Sequence, residues 1–219
     1  MAVYSPVSKD EVISLINQYD IGNLVSYEGI LEGIENTNYK IQTTNNNYIL
    51  TIFEKRVDPK DLPFFINLKN HLTEKKFFCP TPIKTKEGKN INLFKGKSCI
   101  FITFLKGSKV SKVLDLHCEE VGRALSLLHK NTSDFYQERI NNMSHQKWQE
   151  IFDKSIKYSD NKYHLILKEI ERELLFLKKS WPINLPKGII HADVFQDNVF
   201  FKGNKFSGLI DFYFSCEGF

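Results

Sequence analysis

Gly188-Ile-Ile-His-Ala-Asp-Val-Phe-Gln-Asp-Asn-Val-Phe-Phe-Lys-Gly-Asn-Lys-Phe-Ser-Gly-Leu-Ile-Asp-Phe-Tyr-Phe214 is the stretch on which the fold turns. It sets three polar groups, Asp193, Asn198 and Asp211, among apolar neighbours. Ile189 and Ile190 lead into His191-Ala192-Asp193. Residues 199–201 and 206–210 are β-type runs on either side of Lys202-Gly203-Asn204-Lys205, a pattern that predicts a tight hairpin. The second run delivers Asp211 ahead of Phe212, Tyr213 and Phe214. A carboxylate, an amide and a second carboxylate on a loop and a hairpin suit phosphoryl transfer: Asp193 accepts a hydroxyl proton, while Asn198 and Asp211 hold magnesium on nucleotide phosphates. Plainer roles compete. Asp193 is also a good helix cap and Asn198 a good turn residue. Asp211 resists that reading, because a carboxylate between Ile210 and Phe212 is costly to bury without a cation or a partner. His191 is read as a packing and hydrogen-bonding brace for the loop. His129 closes a helix, and His71, His117, His145 and His164 are read as surface positions.

Upstream, the periodicity divides the chain. Ser8-Lys-Asp-Glu11 is a capping box that opens a short helix over Val12, Ile13, Leu15 and Ile16. Residues 24–30, 38–42 and 48–53 read as strands, the last two joined through Asn45-Asn46-Asn47. Between the first two lie Gly29, Gly33, Asn36 and Asn38. Glycines there let the backbone approach a bound phosphate, although two glycines in a hairpin are also ordinary turn chemistry. Asp58-Pro-Lys-Asp61 caps a helix running through Leu62, Phe65, Ile66, Leu68 and Leu72, and Cys79-Pro-Thr-Pro82 stops it. Residues 91–94 and 99–105 form a hairpin about Lys95-Gly96-Lys97-Ser98. Residues 24–105 therefore read β-β-β-α-β-β. From Asp115 the period is helical, with Val121, Leu125 and Leu128 on one stripe; further helices are expected at 146–158 and 163–179. The expected division is residues 1–107, a β-rich lobe with a hinge, and residues 108–219, a mostly helical lobe carrying the functional loops.

Composition narrows the class. The 219 residues are 42% hydrophobic and 26% charged, as in ordinary globular proteins. The net charge of +4 comes from lysines scattered among acids rather than gathered in a patch, which argues against nucleic-acid binding. Cys79, Cys99, Cys118 and Cys216 show no metal spacing and are read as free thiols in a reducing cytoplasm. No stretch has the apolar length of a membrane span. There is no G-x-G-x-x-G between strand and helix, and no P-loop.

A β-rich lobe, a connecting strand, a helical lobe and an Asp/Asn/Asp triplet in the spacing His-x-Asp-x-x-x-x-Asn describe an α+β, protein-kinase-like two-lobe fold. The longer strings narrow this further. Residues 27–39 and 48–56, Cys79-Pro-Thr-Pro82, Thr103-Phe-Leu105, Gly122-Arg-Ala-Leu125, residues 191–201 and residues 208–214 resemble homoserine kinase of the aminoglycoside-phosphotransferase/choline-kinase-like type, not the GHMP-kinase type. The resemblance covers essentially the whole chain. It implies ATP-dependent, magnesium-assisted phosphorylation of the homoserine hydroxyl, a step towards threonine. By carry-over Asp193 is the base and Asn198 with Asp211 holds magnesium. The loop holding Gly29, Gly33, Asn36 and Asn38 covers the phosphates, and Thr103, Phe104 and Leu105 meet adenine. The third strand carries Thr51 where the pattern places a basic residue, so Lys55 or Arg56, just beyond, is assigned the phosphate-gripping role. The family continues past the magnesium aspartate, so the C-lobe is expected to be incomplete. The apolar faces of the 165–177 helix and of the 199–210 hairpin are expected to lack partners. Other acceptors on the same scaffold (an aminoglycoside, choline or a methylthioribose-like sugar) and a non-catalytic nucleotide-binding remnant are the alternatives.

Overall fold

The computed structural model describes residues 3–32, 35–54 and 56–219. Helix α1 (Lys9–Ile16) opens on the expected capping box: Ser8 Oγ accepts the Glu11 N–H at 3.3 Å, and Glu11 Oε2 accepts the Ser8 N–H at 2.8 Å. Strands β1 (Leu24–Ile30), β2 (Thr37–Thr43) and β3 (Asn47–Ile52) follow as an antiparallel meander. Strand β6 (Lys97–Thr103) pairs with β3, and both β4 (Pro82–Ile83) and β5 (Asn92–Phe94) pair with β6. The sheet thus has six strands in the order β1-β2-β3-β6-β4, with β5 also on β6. The sequence pattern accounts for five of them. The two residues of β4 are not among these, because a strand so short carries no period.

Strand alternation places a core on each face of this sheet. Ile41, Leu50, Ile52 and Phe101 pack with Val12 and Ile16 of α1 on one side. Ile49, Ile100 and Ile102 pack on the other with α2 (Leu62–Glu74), through Phe65, Ile66 and Leu72. This second core does not stop at the sheet. It continues through Leu128 of α3 (Asp115–Asn131) into Ile189 of β7 (Gly188–Ile190), Val199 and Phe201 of β8 (Val199–Lys202), Leu209 of β9 (Lys205–Leu209), and Phe212. The β8–β9 hairpin therefore has its partners, against expectation: Val199, Phe201 and Leu209 are buried. It is also stitched to the chain at Phe78 and Ser108. Ser108 and Phe201 exchange two backbone hydrogen bonds at 3.0 and 2.9 Å, and Leu209 N–H donates to the Phe78 carbonyl at 3.1 Å. Gly208 (φ 152°) permits that approach, since a Cβ there would lie 2.7 Å from the Phe78 oxygen.

The helical part is less well covered. α4 (His145–Ile156) buries only Phe152, and α5 (His164–Ser180) buries no residue. Leu165, Ile166, Ile170, Leu175 and Phe176 are exposed, as expected for this helix from the sequence. Strand β10 (Cys216–Gly218) pairs antiparallel with β7, a contact between segments too far apart and too short to be read locally. Asp61, expected to cap α2, makes no side-chain capping bond; its carboxylate takes Arg139 Nε at 2.6 Å instead. The Arg139 guanidinium lies over the Phe65 ring and donates to the Ser215 carbonyl at 3.2 Å, tying the 132–144 loop to both α2 and the chain's last strand. His117 is a second correction. It is buried, with its Nδ1 accepting the Leu114 N–H at 3.1 Å and its ring against Phe201, because this side of α3 faces the hairpin. Among the described residues, no helix is long and apolar enough to cross a membrane.

Candidate active site

A cleft of about 450 Å³ lies between the sheet and the hairpin. Its walls include Asn36, Asn38 and Thr51 from the sheet side, Thr103 to Leu105 from the hinge, Lys69 from α2, and Asn198 and Asp211 from the hairpin side. Two of the segments that deliver the triplet contain left-handed backbone at a non-glycine residue: Ala192 at φ 65° and Asp211 at φ 60°, ψ 63°. Such conformations are uncommon and persist where surrounding structure holds them. Here the buried His191 does so. Its Nδ1 accepts the Asp193 N–H at 3.3 Å, which requires that nitrogen to be unprotonated, so Nε2–H donates to the Ile210 carbonyl at 2.9 Å. One ring therefore ties the Asp193 turn to the residue before Asp211. Burial pushes its pKa down to about 4, and the ring is neutral at pH 7, a brace as the sequence suggested.

Asp193 and Asn198 are brought into direct contact. Asn198 Nδ2 donates to Asp193 Oδ2 at 2.8 Å and to the Asp193 carbonyl at 2.9 Å. Both partners are acceptors, which orients the amide and leaves Asn198 Oδ1 free to serve as a ligand atom. Burial raises the Asp193 pKa, and the Asn198 hydrogen bond opposes that rise. Among the described residues, Asp211 Oδ1 is buried without a hydrogen-bond partner. Burial, with the negative charges of Glu35 and Asp193 nearby, pushes the Asp211 carboxyl up to about 6. An orphaned carboxylate oxygen and an amide oxygen on one wall of a cleft form a hard-oxygen donor set that suits magnesium, whose remaining positions are normally filled by phosphate and water. Among the described residues there is no cluster of three His, Cys, Asp or Glu side chains able to hold a metal without such help.

The other expected residues divide. Asn36, Asn38, Thr103, Phe104 and Leu105 line the cleft. Within the hinge, the Phe104 N–H is taken by the Asn47 carbonyl at 3.2 Å. Gly29 is not among the lining residues; it pairs with Tyr39 across β1–β2, and a Cβ there would meet Val3 Cγ2 at 2.9 Å, so its smallness serves packing. Gly33 and Lys55 lie outside the described residues. Arg56, offered beside Lys55, forms an ion pair with Glu35 and lies over the Phe214 ring, with more than half its side chain exposed. The residue that sequence reasoning passed over is Lys69. It is 2% exposed and lines the cleft. Its position was a signal, since 65, 69 and 72 fall on one face of a helix whose neighbours there are Phe and Leu.

Residues 26–219 match the model of the phosphotransferase enzyme family. The chain belongs to that family. A homoserine kinase of Sinorhizobium medicae is 44% identical over 219 residues, covering 100% of this chain and 67% of the relative, and one of Agrobacterium fabrum is 44% identical over 217 residues, covering 99% and 67%. The chain thus lies on the homoserine-kinase branch and spans about two thirds of the length of these relatives. Among solved structures, a spectinomycin phosphotransferase in complex with ADP and spectinomycin superposes with a TM-score of 0.72 at 16% identity, covering 97% of this chain and 71% of that one. An amicoumacin kinase in complex with AMP-PNP and Ca2+ gives 0.72 at 14%, covering 97% and 66%. At such identities the likeness establishes the fold, a protein-kinase-like one, as expected.

Proposed function

We propose that this chain's site transfers the γ-phosphoryl group of ATP to the side-chain hydroxyl of homoserine, giving O-phosphohomoserine and ADP. The observation that carries the reading is Asn198, which lines the cleft with the orphaned Asp211 oxygen and holds the Asp193 carboxylate at 2.8 Å. Asp193 accepts the hydroxyl proton as the acceptor oxygen bonds to phosphorus, and the bond from phosphorus to the bridging oxygen of ADP breaks. Asn198 holds one Asp193 oxygen and so aims the other. Asn198 Oδ1 and Asp211 are the residues that would hold magnesium, which when bound neutralises phosphate charge. Asn36 and Asn38 would flank the phosphates, and residues 103–105 the adenine. The triplet is common to acceptors of many kinds, so homoserine rests on the 44% identical relatives. The unpaired thiols of Cys79, Cys99, Cys118 and Cys216 and the need for ATP fit a cytoplasmic enzyme.

The test is ADP release with magnesium and ATP against homoserine, choline, methylthioribose and kanamycin. Release that depends on homoserine alone is the expected result. Release dependent on another acceptor would reassign the substrate. ATP binding without turnover on any acceptor would favour a non-catalytic role.

A further inference from the structure

Lys69 is a lysine in an unusual position. It sits in the middle of α2, its side chain is essentially fully buried, and it faces the cleft beside Thr51, Asp211 and Tyr213. Among the described residues no carboxylate lies within ion-pair distance of its ammonium. Its contact is Tyr213, whose hydroxyl is 3.4 Å from Nζ and whose ring lies 4.8 Å beneath it. The Tyr213 phenol also meets the Thr51 side chain, and Thr51 Oγ1 donates to Asn38 Oδ1 at 2.8 Å. Lys69 Nζ is therefore one side chain away from position 51 of β3, on the nucleotide side of the sheet.

We propose that the Lys69 ammonium, carried by α2, is the cation that contacts the nucleotide phosphates, supplying from the helix what β3 lacks at Thr51. This rests on the phosphotransferase reading above. Three observations support it. A buried cation with no directly paired carboxylate among the described residues, and with Asp211 acting on it only from beyond ion-pair distance, is expensive to maintain, and a fold that keeps one beside a cleft gains when an anion enters. Burial lowers the Lys69 pKa only to about 8, so the group is still mostly charged at pH 7. The usual kinase arrangement, a strand lysine paired to a helix glutamate, is reversed in composition here: the strand offers a neutral hydroxyl and the helix offers the positive charge. Arg56, one of the two cations expected from the sequence for this role and the one within the described residues, is already committed to Glu35 and Phe214.

The proposal is tested by calorimetric titration of wild type, Lys69→Met and Lys69→Arg with MgATP, MgADP and adenosine. Lys69→Met is expected to weaken MgATP by about 10- to 100-fold, MgADP by less, and adenosine by under 2-fold, as loss of one charge-assisted phosphate contact predicts. Lys69→Arg should recover part of the loss, and Thr51→Lys added to Lys69→Met should restore phosphate-dependent binding. Equal loss for ATP and adenosine, or no loss for ATP, overturns the proposal. Should Lys69→Met fail to fold, the lysine side-chain 15N resonance of Lys69 in the wild type decides: it must shift with MgATP and MgADP and stay in place with adenosine. If the wild type binds adenosine but gains nothing from added phosphates, Lys69 has no such role. If it binds no nucleotide at all, the kinase reading itself falls and takes this proposal with it.

Discussion

His191 links the Asp193 turn to Ile210, the residue before Asp211, through one neutral ring, and acidification should break that link. The folded pKa is depressed to about 4 from an ordinary 6.5 because the ring is buried. A depressed histidine contributes no instability above pH 6.5. As the pH falls below that value the unfolded chain takes up a proton that the native ring refuses, so stability is lost between about pH 6.5 and pH 4. Each pH unit separating the folded and unfolded pKa corresponds to about 1.4 kcal/mol, so the loss is about 2 kcal/mol at pH 5 and levels off at about 3 kcal/mol below pH 4. The physical reason is visible in the hydrogen bonds. A proton on Nδ1 would face the Asp193 N–H, donor against donor, and the turn would lose its anchor. Asp211 works in the opposite sense, since its raised carboxyl pKa means that protonation relieves strain as the pH falls through about 6. The two must therefore be separated by difference. Urea unfolding of wild type and His191→Gln at pH 7.5 and pH 5.0, without metal, gives a pH-dependent loss for each. The wild-type loss should exceed that of the variant by about 2 kcal/mol. A difference under about 0.5 kcal/mol, or an imidazole that titrates by NMR near its ordinary value, would refute the argument.

Other perturbations probe the site and its supports. Asp193→Asn should reduce turnover by roughly 10²–10⁴-fold while nucleotide affinity holds in calorimetry; a loss within about threefold would remove Asp193 as the base. Asp211→Asn keeps the left-handed backbone within reach of its residue type and removes a carboxylate that burial and its acidic neighbours disfavour. It should abolish the magnesium-dependent part of nucleotide binding yet raise the melting temperature in EDTA at pH 7; a fall in that temperature would mean that the carboxylate has a partner in solution. Arg139→Ala removes the pairing with Asp61, the bond to the Ser215 carbonyl and the contact with Phe65. A cost of about 2 kcal/mol in urea unfolding is expected, and a neutral result would show that the loop is held by other contacts.

Much of this molecule was legible because its signals are local. A capping box acts within four residues, so α1 could be placed at Ser8. Alternation within six or seven residues marked β2 and β3, and Lys202-Gly203-Asn204-Lys205 marked the hairpin. The triplet could be read from spacing, since a hairpin of that length returns the chain to the loop it left. Exposure of α5 was expected from the resemblance alone, since periodicity shows that a helix has an apolar face but not what covers it. Burial by distant elements was not legible. His117 looks like any polar residue at the start of a helix until Phe201 packs on it. The 199–210 hairpin looked unpartnered because its partners, Phe78 and Ser108, lie about 90 or more residues away. Lys69 is the sharpest case. The sequence shows a lysine on the apolar stripe of α2, which a flexible side chain can escape by reaching for solvent. Only the packing of α2 beneath β3 and Tyr213, 144 residues further along the chain, closes that escape and turns a surface-type residue into a buried charge facing the cleft.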